Sequence, residues 1–495
     1  MNYYSAEICP ICTDPLSFAQ DGESIVSLKC GHLLHKSCIE EYIRKVNSAS
    51  CPICRGPIEV TAEAENQARL LLRIGDRGRS QVSESQARQR AELKRRLDLH
   101  RSRLQRRQLT ELPNVQSKNL VFAGESHTVL ISPDGDVWTF GLGKNGRLGH
   151  GDETERLYPT KIDGLKNIVG GAAGQHTVFL HRDGSVWTCG PGTDGQLGHG
   201  DKITKLRPTE VEGLEDIVEV AAGDWHTVFL HLDGSVWTCG VGDYGQLGHG
   251  DTRWKYKPTK IKTLGQIIGV AAGTQHTVLL HRDGSVWMCG RRHALEYGDK
   301  RDILYPTRVE GLDPIIGVTA GRFHTVLLGR DGGVWTFGDG DSGKLGHGDK
   351  RDRLNPTKIE GLENIVGAAA GLYHTVLLHR DGSVWTCGQG KEGQLGHGDK
   401  RTKLRPTKIE GLDSIVEVAA GNYHTVLFRR DGSVWTCGLG GSGRLGHGDE
   451  NEKFRPTMIG ESSGVQAGGD DNRKDDFYYK YKKYRDKYLK LLNLL

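Results

Sequence analysis

The sequence predicts a mainly β protein: a ring of seven small antiparallel sheets, preceded by a small zinc-binding module and flanked by helical segments. Three observations carry this prediction. Eight cysteine and histidine side chains form four close pairs between Cys9 and Cys54. A Val-Trp motif recurs seven times at intervals of 48 to 50 residues. Glycine supplies 69 of the 495 residues without a collagen-like period, which indicates many tight turns.

The four pairs have the composition and spacing of zinc ligands. Thiolates and imidazoles are donors that zinc prefers, and a two-residue gap lets paired side chains bind one ion tetrahedrally with a second pair. Eight donors therefore predict two closed structural sites without an open coordination position. The predicted ligands are Cys9, Cys12, Cys30, His32, His35, Cys38, Cys51 and Cys54.

The order and spacing of these pairs resembles the RING finger in its two-histidine variety. The resemblance implies that a charged ubiquitin-conjugating enzyme binds here and passes ubiquitin to a protein substrate. The alternative is a structural zinc module without ligase activity. The resemblance also implies interleaved ligand sets: Cys9, Cys12, His35 and Cys38 on one ion, and Cys30, His32, Cys51 and Cys54 on the other.

Residues at the family's functional positions favour activity over that alternative. Ile11, Tyr42 and Pro52 match the shallow apolar groove for the conjugating enzyme, with Tyr42 in place of a more usual tryptophan. Arg55 directly follows the last ligand, where active RING fingers carry a cation that holds the ubiquitin thioester in its reactive posture. The resemblance thus implies that Arg55 is a non-covalent catalytic residue.

The finger is predicted over residues 1–60, where metal binding supplies folding free energy to a small core. Residues 61–112 are predicted to form a basic helical linker rich in Ala, Glu, Gln, Arg and Leu. Between Thr61 and Thr110, twelve arginines and one lysine face six acidic residues. A solvated spacer is the simplest interpretation. Self-association of the finger and phosphate contacts to nucleic acid are the alternatives.

Residues 113–462 form the repeat array. In one repeat, a β-rich strand starts at His226, Asp233-Gly234 predicts a tight turn, and a returning strand carries Trp237. A glycine-rich loop and a Pro-Thr outer strand follow. Such a unit cannot bury both faces alone, but seven packed radially close a ring and protect their edges. The tryptophans and the recurring cysteines are expected to pack between neighbouring units, the cysteines as free buried thiols: Cys189, Cys239, Cys289, Cys387 and Cys437.

These motifs resemble the repeats of the regulator of chromosome condensation family, whose fold is a seven-bladed β-propeller. The array starts in mid-repeat at the His127 strand, which predicts a blade shared by the two ends of the array. The family resemblance also implies an alternative activity, guanine-nucleotide exchange on a small GTPase. A third possibility is a scaffold in which both domains bind and neither is active.

Thirteen histidines recur in the array at two positions. A residue that recurs in every blade is expected to hold a local turn by hydrogen bonds rather than to bind metal or catalyse. The first position comprises His127, His176, His226, His276, His324, His374 and His424. The second comprises His150, His199, His249, His347, His397 and His447.

Differences between the repeats predict where a protein substrate binds. The residues just before the strand histidines vary and should share one rim, where aromatic side chains are good anchors: Trp225, Phe323, Tyr373 and Tyr423. The fourth repeat lacks the glycine-rich loop and reads Arg291-Arg-His-Ala-Leu-Glu-Tyr297. That departure is either repeat decay or a loop remodelled for a partner, which makes Arg291, Arg292 and Tyr297 candidates.

Residues 463–495 predict a flexible linker and a basic, Tyr/Lys-rich amphipathic helix. Phe477, Tyr481, Tyr484, Tyr488, Leu491 and Leu495 follow a heptad spacing, which favours self-association or docking over attachment to an anionic membrane. The net charge of +4 favours no class of partner. Without a signal peptide or transmembrane run, a cytoplasmic or nuclear protein with reduced thiols is expected.

Overall fold

The computed structural model describes residues 120–132, 134–262, 264–291 and 302–460, together with the strands Ile25–Ser27 and Leu33–His35. The chain divides into two compact units, Met1–Asp98 and Leu99–Leu495. Predictions for the helical linker, the C-terminal helix, Ile11, Tyr42, Pro52 and Arg55 lie outside the described residues. So do those for the zinc ligands, apart from the backbone of His35.

In the first unit, β1 (Ile25–Ser27) and β2 (Leu33–His35) form an antiparallel pair. Ile25 is opposite His35, and Ser27 is opposite Leu33. Two predicted zinc ligands, Cys30 and His32, belong to the five-residue stretch that joins these strands.

The second unit contains seven four-stranded sheets, each an antiparallel meander of strands consecutive in the chain. This confirms the predicted mainly β fold and the seven-bladed propeller. In chain order the blades comprise β3 to β30, four strands each: Val121–Ala123, His127–Ile131, Val137–Gly141 and Arg156–Lys161; Ile168–Ala173, Thr177–His181, Val186–Gly190 and Lys205–Glu210; Ile217–Ala222, His226–His231, Val236–Gly240 and Lys255–Lys260; Ile267–Ala272, His276–His281, Val286–Gly290 and Ile303–Arg308; Ile315–Ala320, His324–Gly329, Val334–Gly338 and Arg353–Lys358; Ile365–Ala370, His374–His379, Val384–Gly388 and Lys403–Lys408; Ile415–Ala420, His424–Arg429, Val434–Gly438 and Lys453–Met458. Single 3-10 turns lie at Lys144–Gly146, Asp341–Gly343 and Gly441–Gly443.

The hairpin between the second and third strands of each blade follows from its Asp-Gly pair. In blade 3, Gly234 adopts a φ of +79°, which an L side chain disfavours. The backbone N–H of Ser235 donates to Asp233 Oδ1 over 2.8 Å and closes the turn. The flanking strands are almost wholly buried because they lie in the middle of the blade.

The hydrophobic core lies between the blades, as expected. At the interface of blades 2 and 3, Val178 and Val186 of one sheet pack with Phe229 and Cys239 of the other, and all four are 0% exposed. Trp237 packs against the edge of the same cluster. The five recurring cysteines are buried free thiols. Each blade thus buries two apolar faces against its neighbours, which explains why the ring needs all seven.

The prediction of a blade shared between the ends of the array is wrong. Blade 1 is complete within Val121–Lys161, and blade 7 within Ile415–Met458. Leu120-Val-Phe-Ala-Gly124 supplies the innermost strand of blade 1, although it lacks the Ala-Ala pair that marks this strand in most other repeats. Ring closure instead relies on side chains, since a carboxylate oxygen of Glu417 accepts from the backbone N–H groups of Leu120 and Val121 over 3.0 and 3.2 Å.

Blade 4 keeps its four strands despite the irregular fourth repeat. Its third and outer strands pair with Trp287 opposite Arg308 and Gly290 opposite Ile303. Residues 292–301, which include Arg292 and Tyr297, lie outside the described residues. Among the described residues, no helix is long and apolar enough to cross a membrane.

Candidate functional site

The first set of histidines joins neighbouring blades rather than holding local turns, so the predicted role is wrong for this set. Each Nε2 lies 2.6 to 3.1 Å from the Oγ1 of a threonine in the next blade. The seven pairs close a circle: His127–Thr177, His176–Thr227, His226–Thr277, His276–Thr325, His324–Thr375, His374–Thr425 and His424–Thr128.

The direction of these hydrogen bonds follows from the threonines. Thr227 Oγ1 donates its one proton to the carbonyl of Gln196 over 2.7 Å, so His176 Nε2 must donate to Thr227. Burial lowers the pKa of His176 and of His226 to about 3, which keeps both rings neutral. These histidines have a structural role, because they are buried and hydrogen-bonded, and they are not available as acids, bases or metal ligands.

The second set of histidines fulfils the predicted local role. His150 Nε2 lies 3.0 Å from Thr139 Oγ1 of its own blade, and the other five make the same contact. Thr139 Oγ1 also donates to the carbonyl of Leu148 over 2.7 Å, which fixes the glycine-rich loop. No group of three or more metal-binding side chains occurs among the residues that the structure describes.

The variable residues meet where the innermost strands end, around one mouth of the central channel. A cavity of about 60 Å³ opens there, walled by the small residues of the Ala-Gly motifs. The first residue of each variable pair borders this cavity in five blades: Glu125, Asp224, Thr274, Arg322 and Asn422. We call this end of the channel, with its variable pairs, the mouth.

The predicted aromatic residues lie at the mouth and are half-buried. Phe323, Tyr373 and Tyr423 belong to three consecutive blades, and the rings of Tyr373 and Tyr423 are 5.8 Å apart between centroids. Trp225 belongs to blade 3 and is separated from them by blade 4. Three of the four predicted anchors therefore occupy one sector of the mouth, which is a suitable surface for a protein segment.

Arg291 extends the mouth on blade 4. Its guanidinium carbon lies 4.9 Å from the centre of the Tyr244 ring, and its Nη1 donates to Gln275 Oε1 over 2.9 Å. Whether the irregular loop that follows Arg291 serves a partner or reflects repeat decay stays a prediction.

Sequence reasoning missed a set of cations that lie close to the mouth. The residue before the Leu-Gly-His motif is glutamine in blades 2, 3 and 6, and its Oε1 accepts a backbone N–H two residues earlier. Blades 1, 5 and 7 carry a cation there instead: Arg147, Lys344 and Arg444. The signal was visible in the sequence, because these three substitutions interrupt an otherwise regular motif.

The cations differ in how their charge is balanced. Lys344 is fully buried, and its Nζ lies 2.8 Å from Asp339 Oδ2. Arg147 Nη1 lies 3.5 Å from Glu125 Oε2. Arg444, which is 7% exposed, donates from Nε to the carbonyl of Gly441 over 2.9 Å and makes a longer contact to a carbonyl from Nη1.

The acidic side chains of the mouth are also partly buried. Thr274 Oγ1 donates to Asp224 Oδ2 over 2.7 Å, and Arg322 Nε lies 3.9 Å from the same oxygen. Burial raises the pKa of Asp224 from its ordinary value. The mouth therefore combines aromatic surface with partly neutralised charges, which suits recognition rather than covalent chemistry.

Family models match both parts of the chain. The RCC1-like domain matches residues 214–471, and the Regulator of chromosome condensation (RCC1) repeat matches residues 134–180 and 183–230. The Ring finger domain matches residues 7–55, the segment that carries the eight predicted zinc ligands.

The curated relatives match over a short stretch. The probable E3 ubiquitin-protein ligase XERICO of Arabidopsis thaliana is 46% identical over 55 residues, which are 11% of this chain and 32% of that protein. The RING-H2 finger protein ATL5 of Arabidopsis thaliana is 40% identical over 53 residues, 11% of this chain and 19% of that protein. The chain thus spans about a third or less of these relatives.

Solved structures share the propeller fold. Prp20p of Saccharomyces cerevisiae, described with its binding properties to Gsp1p and histones, has a TM-score of 0.60 at 24% identity. The match covers 67% of this chain and 87% of that chain. Human WBSCR16 has a TM-score of 0.57 at 24% identity and covers 64% of this chain and 88% of that chain. At these identities the likeness concerns the fold alone.

Proposed function

The chain belongs to the RCC1-like domain family and carries a RING finger of the two-histidine type, and from this premise we propose that it is a ubiquitin–protein ligase. The finger binds a charged ubiquitin-conjugating enzyme, and the propeller selects the protein substrate. The observation that carries the proposal is the finger itself, because all eight predicted ligands lie within residues 7–55, the segment that the Ring finger domain matches.

Zinc holds the finger in shape in this proposal. Six thiolates and two imidazoles fit two tetrahedral ions, and such ions act as structural cross-links in a segment with a small core. One ion takes Cys9, Cys12, His35 and Cys38, and the other takes Cys30, His32, Cys51 and Cys54. The antiparallel pairing of Ile25–Ser27 with Leu33–His35 is the described structure on either side of Cys30 and His32 in the sequence.

The chain contributes orientation rather than a nucleophile. Ile11, Tyr42 and Pro52 form the apolar groove for the conjugating enzyme, and Arg55 donates hydrogen bonds that hold the ubiquitin thioester. The amine of a substrate lysine attacks the thioester carbonyl, an isopeptide bond forms, and the conjugating enzyme's cysteine leaves as a thiol. The proton lost by the amine balances the step. Positioning the two reactants is the source of the rate gain.

The propeller brings the substrate to the finger by raising its effective concentration. Half-buried aromatic rings offer contact area with few rotatable bonds, so they bind with a small loss of entropy. The sector formed by Phe323, Tyr373 and Tyr423 is the proposed centre of this contact, with Trp225, Arg291, Arg292 and Tyr297 as further candidates. Self-association through the linker or the C-terminal segment would add avidity.

The test is self-ubiquitination of the full chain with purified activating enzyme and a panel of conjugating enzymes. We expect activity with at least one conjugating enzyme and loss of activity in Cys51→Ala, which removes a zinc ligand. Native mass spectrometry should find two zinc ions per chain in the wild type and fewer in Cys51→Ala. Arg73→Ala, outside the finger, is the control. Wild-type protein that is inert with the whole panel would instead support a scaffold.

Nucleotide exchange is the alternative activity. The binding of Prp20p to Gsp1p belongs to that protein, and a fold likeness at 24% identity transfers no activity. Release of labelled GDP from a panel of small GTPases separates the two possibilities, because a ligase without exchange activity leaves the release rate unchanged.

A further inference from the structure

Arg444 is a cation near the mouth whose side chain donates only to carbonyl groups among the described residues, with no carboxylate within 4.0 Å. Arg147, Arg322 and Lys344 each lie within 4.0 Å of a carboxylate oxygen, whereas Arg291 lies over the Tyr244 ring and donates to Gln275. Within residues 120–460, so far as they are described, no carboxylate comes that close to Arg444. Its side chain donates to the carbonyls of Gly441 and Glu125, 2.9 and 3.5 Å away, and the carboxylates of Glu125 and Glu155 favour its charge only from a longer distance.

A guanidinium that is 7% exposed and has no described carboxylate within 4.0 Å is costly to the fold. Burial lowers the pKa of Arg444, which reports the same cost. The fold does not require a cation here, because Gln196, Gln246 and Gln394 occupy the equivalent position in other blades and fix their loops with an amide oxygen. A cation that the fold does not need and that lowers stability is a candidate for binding a partner.

The surroundings of Arg444 show where that use lies. Its Nη1 lies 3.5 Å from the backbone carbonyl of Glu125, which borders the mouth, and the side chains of Glu125 and then Tyr423 are those that most favour its charged form. The Tyr423 ring lies 5.8 Å from the Tyr373 ring. Among the described residues, Arg444 donates hydrogen bonds from Nε and Nη1, which leaves Nη2 for a further partner. A donor edge therefore lies beside a pair of aromatic rings.

We propose that the mouth binds a substrate segment through a carboxylate placed next to an apolar side chain. The carboxylate of an aspartate or glutamate pairs with the guanidinium of Arg444, and the neighbouring apolar side chain packs on Tyr373 and Tyr423. One guanidinium matches one carboxylate in charge and in its planar donor geometry. This inference rests on the proposed function, since it names the class of segment that the ligase selects.

The test uses the full chain and a phage-displayed library of random dodecapeptides. Panning is carried out in parallel on the wild type, on Arg444→Gln and on Arg455→Gln. Arg444→Gln installs the residue of three other blades, so the fold should be retained, and thermal melting checks this. Arg455→Gln removes an exposed arginine of the outer strand of the same blade and serves as the control.

We expect peptides from the wild type and from Arg455→Gln to be enriched in aspartate or glutamate beside an aromatic or aliphatic residue. Arg444→Gln should lose the acidic preference. Replacing the enriched aspartate by asparagine should weaken binding to the wild type by about 10-fold or more, and should not weaken binding to Arg444→Gln further.

Three results would overturn the inference: no enriched peptides, enrichment without an acidic preference, or equal binding of the acidic peptide to wild type and Arg444→Gln. Failure of the ligase proposal is recognised separately, in the ubiquitination assay. If the protein is inert in that assay but binds acidic peptides through Arg444, the ligase proposal fails and the proposed binding site stands.

Discussion

The threonine of each His–Thr pair is the residue on which the contact between blades depends. Thr227 accepts from His176 Nε2 over 2.6 Å and donates to the carbonyl of Gln196 over 2.7 Å. Both partners are buried, so losing the hydroxyl leaves the His176 N–H without an acceptor and the Gln196 carbonyl with only the weak Cys239 thiol donor, 3.4 Å away. Because the same pair occurs at every junction between blades, these hydrogen bonds together link all seven blades of the propeller.

Thr227→Val should lower the free energy of unfolding by about 2–4 kcal/mol, since the shape is kept while two buried hydrogen bonds are lost. Urea unfolding followed by tryptophan fluorescence measures the change. Thr209→Val, at an exposed position of an outer strand, should stay within about 0.5 kcal/mol of the wild type. Equal losses in the two variants would contradict the account of the bridge.

The buried histidines also predict how stability depends on pH. The folded-state pKa of His176 and of His226 is lowered to about 3, while the unfolded chain titrates near its ordinary value of 6.5. The unfolded state therefore binds more protons below that pH, and each such histidine costs roughly 1.4 kcal/mol per pH unit. Glu219 and Glu417 oppose this, because burial raises their pKa to about 7 and about 8.

Histidines with lowered pKa outnumber these two carboxyls, so the free energy of unfolding should fall as pH is lowered from about 6.5 toward 4. Urea titrations at pH 7.5, 6.5 and 5.5 measure it. A flat or rising profile below pH 6.5 would show that the histidines are protonated in the folded state.

At the scale of the elements, the ring is closed by a side chain and by apolar packing rather than by a shared sheet. Glu417 of blade 7 accepts from the first two backbone N–H groups of blade 1, and Val121 and Trp138 pack with Val426 and Phe428 across the same junction. Four other blades carry glycine at the position of Glu417. A glutamate at this position thus occurs at the interface that closes the ring and in blade 3, where it is Glu219.

Glu417→Gly should speed hydrogen exchange at the amides of Leu120 and Val121 and lower the free energy of unfolding by about 1.5–3 kcal/mol. Exchange followed by mass spectrometry gives the local effect. Glu219→Gly makes the same chemical change at an internal interface and should leave the exchange of those two amides unaltered. If both variants accelerate it equally, Glu417 has no special part in closure.

The sequence predicts the elements well because they repeat, and it fails where a contact depends on the ring. Seven Val-Trp motifs and the Asp-Gly turns determine the number of blades and the hairpins. A spacing of about fifty residues cannot tell whether His226 contacts its own blade or the next one. The phase of blade 1 was misjudged because Phe122 replaces the small residue that marks the strand elsewhere. Arg444 was overlooked, although comparing repeats exposes it.

At the scale of the whole molecule, the proposal divides the work between two parts of the chain. In the proposed ligase, the finger would determine the reaction, and the mouth would determine which protein is modified. The aromatic pair should therefore affect recognition without affecting the reaction.

Tyr373→Ala combined with Tyr423→Ala should weaken a peptide selected on the wild type by about 10- to 100-fold, because both rings lose their contact area. Calorimetric titration measures the affinity. The rate of ubiquitin discharge to free lysine should be unchanged in this variant. Tyr305→Ala, at a side chain that is 55% exposed on an outer strand, is the matched control. If the double variant binds the peptide as tightly as the wild type does, the binding site does not lie at the mouth.

The ligase proposal is tested most directly by single-turnover discharge of ubiquitin from a charged conjugating enzyme to free lysine. This reaction needs no substrate protein and isolates the contribution of the finger. We predict that the full chain accelerates discharge and that Arg55→Ala loses at least about 10-fold of the acceleration, because the thioester is no longer held in its reactive posture. Discharge that is no faster with the full chain than without it, across the panel of conjugating enzymes, would contradict the proposal.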